Sequence, residues 1–164
     1  MITQILLDAL YSAIAAIGFA AISRPPRRAY KYCALIAAIG HALRYVLMSE
    51  CGMHLHIVAA SAIAAFIIGT LAVMFTTISK TPAETCLFPA LLPMIPGIFA
   101  YKTFGGLVMC LLSTSDGQDT FNYYFYQFAS NGITVLFIIM GMVIGATLPI
   151  FIFKKISFQA TRSA

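Results

Sequence analysis

Charge is what this chain has least of. Its 164 residues include ten Lys or Arg and five Asp or Glu, 9% of the total, where soluble domains carry about a quarter. So few charges do not solvate the surface of a water-soluble globule of this size, and a soluble enzyme is excluded. Catalytic patterns are missing too. The chain has no His-Glu-x-x-His, no Gly-x-Ser-x-Gly and no pair of carboxylates inside an apolar run, so the parts of an intramembrane hydrolase are absent. Cys33, Cys51, Cys86 and Cys110 are scattered without a Cys-x-x-Cys pair, which indicates neither a zinc site nor a disulfide framework. They read as small hydrophobes packed in helices, with a bridge between Cys51 and Cys110 left open on one outer side. His54 and His56 stand two apart and do not share a helix face, so they read as an interfacial pair rather than metal ligands. No basic stripe with interleaved stacking aromatics accompanies the net charge of +5, so nucleic acid is not an expected partner. Neither enzyme activity, cofactor nor metal is expected.

What the chain has in quantity is apolar sequence, 61% of all residues, in long runs parted by short polar islands. That is the pattern of a polytopic membrane protein. The runs predict an all-α fold of five transmembrane helices in a single integral membrane domain spanning residues 1–164. The crossings fall at about residues 5–22, 32–48, 55–78, 82–112 and 128–153, the fourth broken near residues 93–97. Arg24, Arg27, Arg28, Lys31, Lys80, Lys154, Lys155 and Arg162 lie on one side of these crossings. Glu50, Asp116 and Asp119 lie on the other, with Asp8 near the start of the first crossing. Basic loops stay in the cytoplasm, so the N-terminus is expected outside and the C-terminus inside. The first run is not a cleaved signal peptide, because its basic cluster follows the apolar stretch. Pro25 and Pro26 end the first helix. Phe121, Tyr123, Tyr124, Phe125, Tyr126 and Phe128 are expected to form an interfacial belt before the last crossing. Gly141-x-x-x-Gly145 and the Ala-rich faces of the second and third crossings suit close helix packing.

Two motifs carry chemistry. The first is Pro89-x-x-x-Pro93-x-x-Pro96-Gly97-x-x-x-Tyr101. Each proline removes a backbone donor and clashes one turn back, so three prolines and a glycine interrupt the helix. Freed carbonyls inside a bilayer need partners or a wet cavity. Helix from residue 82 to the break is roughly 16 Å long, which places the break near the bilayer midplane. Transporters put their sites at such breaks, a half-helix N-terminus facing an anionic group. Pro96 or Gly97 would start the second half-helix, and the amides of Gly97, Ile98 and Phe99 would receive a carboxylate, with Tyr101 and Lys102 a turn away. The second motif is Gly40-His41-x-x-Arg44, whose imidazole and guanidinium share a helix face. Arg44 lies about one turn from the outer end of its helix, where snorkelling to the interface is the competing reading. With Asp8 the sole acid inside a crossing, His41 is the expected proton carrier, if the chain has one.

The stretch Gly18-Phe19-Ala20, Pro26-Arg27-Arg28-Ala29, Cys33-Ala34-Leu35-Ile36, Gly40-His41-Ala42-Leu43-Arg44, Leu47-Met48 resembles the threonine/serine exporter family, as does Leu92-Pro93-Met94-Ile95-Pro96-Gly97-Ile98-Phe99-Ala100-Tyr101. The likeness extends over essentially the whole chain. It is greatest to the small subunits of the split, two-component members, a group that includes a succinate exporter of the bacterial inner membrane. The resemblance implies a multi-pass protein that works with a larger membrane subunit of the same family. The substrates it implies are hydroxy amino acids or a C4 dicarboxylate. The residues agree with a carboxylate substrate. Arg44, His41, the amides after Pro96 and Lys102 are positive, and no acid deep in the membrane awaits an amino group. On these residues alone succinate is favoured over a zwitterion. The expectation is therefore the small subunit of a secondary succinate exporter, with Arg44, His41, Pro93, Pro96, Gly97, Ile98, Tyr101 and Lys102 at its site. Threonine and serine export, a non-transporting assembly subunit and a small homo-oligomeric channel are the alternatives.

Overall fold

The computed structural model describes residues 2–49, 52–113 and 117–154, and among these every regular element is helical. Helices α1 (Ile2–Ser23), α2 (Ala29–Met48) and α3 (Ile57–Ser79) come first. A short α4 (Glu84–Leu91), a 3-10 turn (Leu92–Met94), α5 (Gly97–Leu112) and a long α6 (Gln118–Ile152) follow. Four helices are long and apolar enough to cross a membrane, and α4 with α5 makes a fifth, broken span. This is the expected all-α, multi-pass chain with its fourth segment interrupted. Glu50, Asp116, Lys155 and Arg162, on which the expected orientation partly rests, lie outside the described residues. So does Cys51, and with it the bridge considered to Cys110.

The element boundaries differ from expectation in instructive ways. Helix α6 begins at Gln118, about ten residues early, so the aromatic cluster forms its first turns instead of preceding it. Nothing between Gln118 and Phe128 breaks a helix, and Asp119 in the first turn suits the positive end of the helix dipole. Rings one turn apart also stack, Phe121 on Phe125 at 6.0 Å. At 1.5 Å per residue the helix is about 52 Å long, well beyond the roughly 30 Å of a hydrocarbon core. Helix α3 begins at Ile57 because His56 caps it, its Nδ1 accepting from the Val58 amide at 3.4 Å. It ends on Lys80, which holds the left-handed conformation at φ 52°. Pro89 sits inside α4 rather than ending it. Its missing N–H leaves the Thr85 carbonyl without an in-helix partner, and the Cys33 thiol donates to that oxygen at 3.7 Å.

The described residues group into two compact units. The larger runs to Ile95 and resumes at Gly141. Its first seam joins antiparallel α1 and α2 through every fourth residue of each. The Tyr45 hydroxyl meets Gln4 Oε1 at 2.8 Å, His41 faces Asp8, and the Ser12 hydroxyl lies 3.4 Å from the Ala37 carbonyl. In the same register Ala16 and Ala20 fall opposite Cys33 and Ala29, and all four are fully buried. Residues four apart form one ridge of a helix surface, so the sequence positions 4, 8, 12, 16 and 20 make a stripe that is polar at one end and small at the other.

A second seam joins α3 to the later part of α6 at glycines of both helices. A Cβ on Gly141 would stand 3.1 Å from that of Ala62, and one on Gly69 would meet the Ala146 carbonyl. Gly145 abuts the Ala62 carbonyl and the Phe66 amide. The Gly141-x-x-x-Gly145 motif therefore serves packing within the bundle, as small residues in membrane helices do. The smaller unit, Pro96–Met140, is α5 against the first part of α6. There Gly106 lets the backbones touch, since a Cβ would come within 2.8 Å of the Phe128 amide nitrogen. The outward faces are apolar, with Leu10, Ile14, Met74, Leu136 and Phe151 all more than 40% exposed, as lipid-facing surfaces are.

Candidate functional site

The break in the fourth segment fixes the geometry of the site. Pro96 has no N–H for the Leu92 carbonyl, so that oxygen accepts from Ile95 at 3.2 Å and the helix tightens into a 3-10 turn. Ile95 is then extended at ψ 131°, and α5 restarts behind Pro96. The Met94 carbonyl, turned away from the amide one turn on, would be an orphan in hydrocarbon, which costs several kcal/mol. Arg44 supplies its partner, Nη1 donating at 3.1 Å. Guanidinium carries five donors, so one bond to a carbonyl leaves others free. Arg44 therefore does not simply snorkel to the interface; it is tied to the break.

Asp8 comes to the same place from α1. Its Oδ2 lies 3.5 Å from Nδ1 of His41, inside ion-pair range but without hydrogen-bond geometry. His41 is 4% exposed, and its Nε2 has no hydrogen-bond partner among the described residues. Asp8 itself is only half-buried, its side chain 37% exposed. Asp8 and Arg44 share the wall of an open cavity of about 410 Å³ with Tyr45, Met48 and Ser49. That volume is within the range of small-ligand sites. The arrangement is thus a carboxylate with two neighbours, a buried imidazole behind it and an arginine beside it across an open space. It can hold opposite charges at a short separation.

Of the residues singled out from sequence, His41, Arg44 and the turn containing Pro93 belong to the larger unit. Arg44 and the turn are joined through the Met94 carbonyl. Pro96, Gly97, Ile98, Tyr101 and Lys102 belong to the smaller unit. Pro96 is buried, and it heads α5 without any side chain capping the helix start. Ile98 and Tyr101 are 72% and 79% exposed, and Lys102 is exposed as well. The residue that sequence reasoning undervalued is Asp8. It was set aside as an acid near a helix start, yet it is the charged neighbour of both His41 and Arg44. The signal for it was present in the spacing of Gln4, Asp8 and Ser12, a four-residue stripe of polar groups in an otherwise apolar run. His56, expected at the interface with His54, caps α3. Among the described residues no group of three His, Cys, Asp or Glu is placed to hold a metal ion.

The family model described as "Threonine/Serine exporter, ThrE" matches residues 8–152. A protein of Haemophilus influenzae described as uncharacterized is 34% identical over 153 residues, which is 93% of this chain and 48% of that relative. The chain therefore spans about half the length of the relative. No solved structure matches it.

Proposed function

The chain is a member of the threonine/serine exporter family, and on that premise we propose that it is one subunit of a secondary exporter for a small carboxylate-bearing solute. The membrane would be the bacterial inner membrane, and the solute would lie in the cavity between Asp8 and Arg44. One observation carries the reading: opposite charges share the wall of a single cavity of about 410 Å³. A zwitterionic hydroxy amino acid fits this wall best. Its carboxylate takes the free edge of the Arg44 fork, a charge-assisted and planar match. Its ammonium group faces Asp8, and the oxygens of Tyr45 and Ser49, which donate to Gln4 and to the Val46 carbonyl, can accept from its hydroxyl. Without Asp8 in the account, the positive groups alone favoured succinate. With Asp8 present, a dicarboxylate meets a like charge.

Succinate remains the second reading, supported by the two nitrogenous groups, Arg44 and His41, against one acid. The larger membrane subunit is likewise a proposal. In the Haemophilus relative, sequence matching this chain is joined to about as much again in one polypeptide, which supports a function divided between two modules. The test is efflux of labelled threonine and of labelled succinate from cells that make the exporter with Arg44 intact or as Arg44→Gln. Threonine efflux lost in the variant, with the protein still present in the membrane, supports the reading. Unchanged efflux of both solutes from the variant overturns it.

A further inference from the structure

We propose that Asp8 and His41 form the ion-coupling element of this exporter, a site where a proton and the ammonium group of the solute exclude each other. The inference rests on the proposed zwitterionic solute and adds what drives it. Among the described residues three acid or basic groups meet here: Asp8 from α1, and His41 and Arg44 from α2. Helix α3 contributes no ionisable side chain anywhere along its length. Those of α4, Glu84 and Cys86, are at its far start, about 12–15 Å along the helix from Met94. Cys33 lies eight residues before His41, about 12 Å along α2. Tyr45 is engaged with Gln4, and Tyr11 is exposed. The charge of the pair is thus decided locally.

Counting that charge gives the coupling. With Asp8 ionised, His41 neutral and Arg44 charged, the empty site is neutral. A zwitterion adds no net charge and is accommodated. A proton, held on Asp8 or shared with the imidazole across the 3.5 Å gap, leaves the site at +1 and cancels the negative charge that an ammonium group needs. With the proton bound, the ammonium group of the solute faces a neutralised acid and has no opposite charge beside it, a loss that weighs heavily in a low-dielectric site. Binding of one therefore weakens the other, and by linkage the effect is reciprocal. Alternating occupancy of that kind is proton–solute exchange. His41 suits the role because it is buried with Nε2 unpartnered, so it stabilises one charge state of Asp8 rather than fixing a helix by hydrogen bonds. A dianion gives the opposite sign, since a site at −2 with succinate is relieved by protons.

The test uses inverted membrane vesicles from cells making the complete exporter, so that export is read as uptake. Two quantities are measured for labelled threonine: accumulation under an acid-inside gradient, and exchange against unlabelled threonine without a gradient. Wild-type vesicles are expected to concentrate threonine up to about tenfold per pH unit for one proton exchanged. His41→Gln is expected to lose that accumulation and fall towards a ratio of about one while threonine is still exchanged; Asp8→Asn, which also removes the acid facing the ammonium group, is expected to lose both, with Asp8→Glu restoring part of each. Full gradient-driven accumulation in His41→Gln overturns the coupling role of the pair and leaves the solute assignment standing, whereas full accumulation in Asp8→Asn overturns both. Wild-type vesicles that exchange succinate but not threonine, with acid strengthening succinate uptake, overturn the zwitterion reading and the inference with it.

Discussion

The two seams of the larger unit are built on the same principle and do different work. Both bring helix backbones close by placing small residues at the contact. Between α3 and the end of α6 the close contacts gather at Gly69, Gly141 and Gly145, which lie against Ala62, Phe66, Ala146 and Pro149. Between α1 and α2 the small residues stop halfway. Ala16, Ala20, Ala29 and Cys33 fill one end, and the other is given to Gln4, Asp8, His41 and Tyr45. A half-buried acid and a buried imidazole are poor glue, since a charge inside a bilayer costs several kcal/mol even by insertion scales. Their presence beside a seam packed on small residues supports the proposed site.

Substitutions can break that contrast. Gly145→Leu is expected to be the most damaging, because the Ala62 carbonyl and Phe66 amide occupy the space a side chain needs. A loss of about 3 kcal/mol or more should appear as missing or aggregated protein after detergent extraction. Gly18→Ala is the control, since nothing lies within 4 Å of its absent Cβ, and it should extract normally. Arg44→Lys comes next. An ammonium group does not reproduce a fork that serves the Met94 carbonyl and a carboxylate together, so efflux should fall about ten- to hundredfold, the equivalent of 1.4–2.8 kcal/mol, while the protein still extracts intact. Tyr45→Phe removes the 2.8 Å bond to Gln4 and should lower the thermal midpoint only slightly, by an amount near the average of about 0.6 kcal/mol for bonds between membrane helices. Lys80→Gly is of similar size and opposite sign, a gain rather than a loss. Glycine adopts the left-handed φ of 52° without penalty, and a stabilisation of about 0.5–1 kcal/mol should raise that midpoint.

Much of the architecture was legible because hydropathy and proline act locally. Residues 5–22 and 32–48 appear as α1 and α2 with only their ends extended, and Pro96-Gly97 interrupts the fourth segment where it was expected to. The start of α6 was misread because aromatic residues near an interface look like a belt whether or not they are helical, and only the absence of a breaker before Phe128 distinguishes the two. The site was legible by halves. Gly40-His41-x-x-Arg44 announced itself through rare polar groups in an apolar run. Asp8 did not, because its meaning depends on a partner 33 positions away in the chain, and pairing between helices is not written in the periodicity of either one. Cys33 was likewise read as filler, although it completes the backbone bonding that Pro89 removes.

The four-residue spacing of the α1–α2 contact has one further consequence. Two helices keyed at every fourth position resist a small slide, because intermediate offsets set ridge against ridge. They come to rest again only after a full step of about 6 Å. Such a step would carry the Asp8 carboxylate from the imidazole to either Tyr45 or the Ala37 backbone. The first helix is in effect indexed like a ratchet pawl, and each notch hands its acid a different companion.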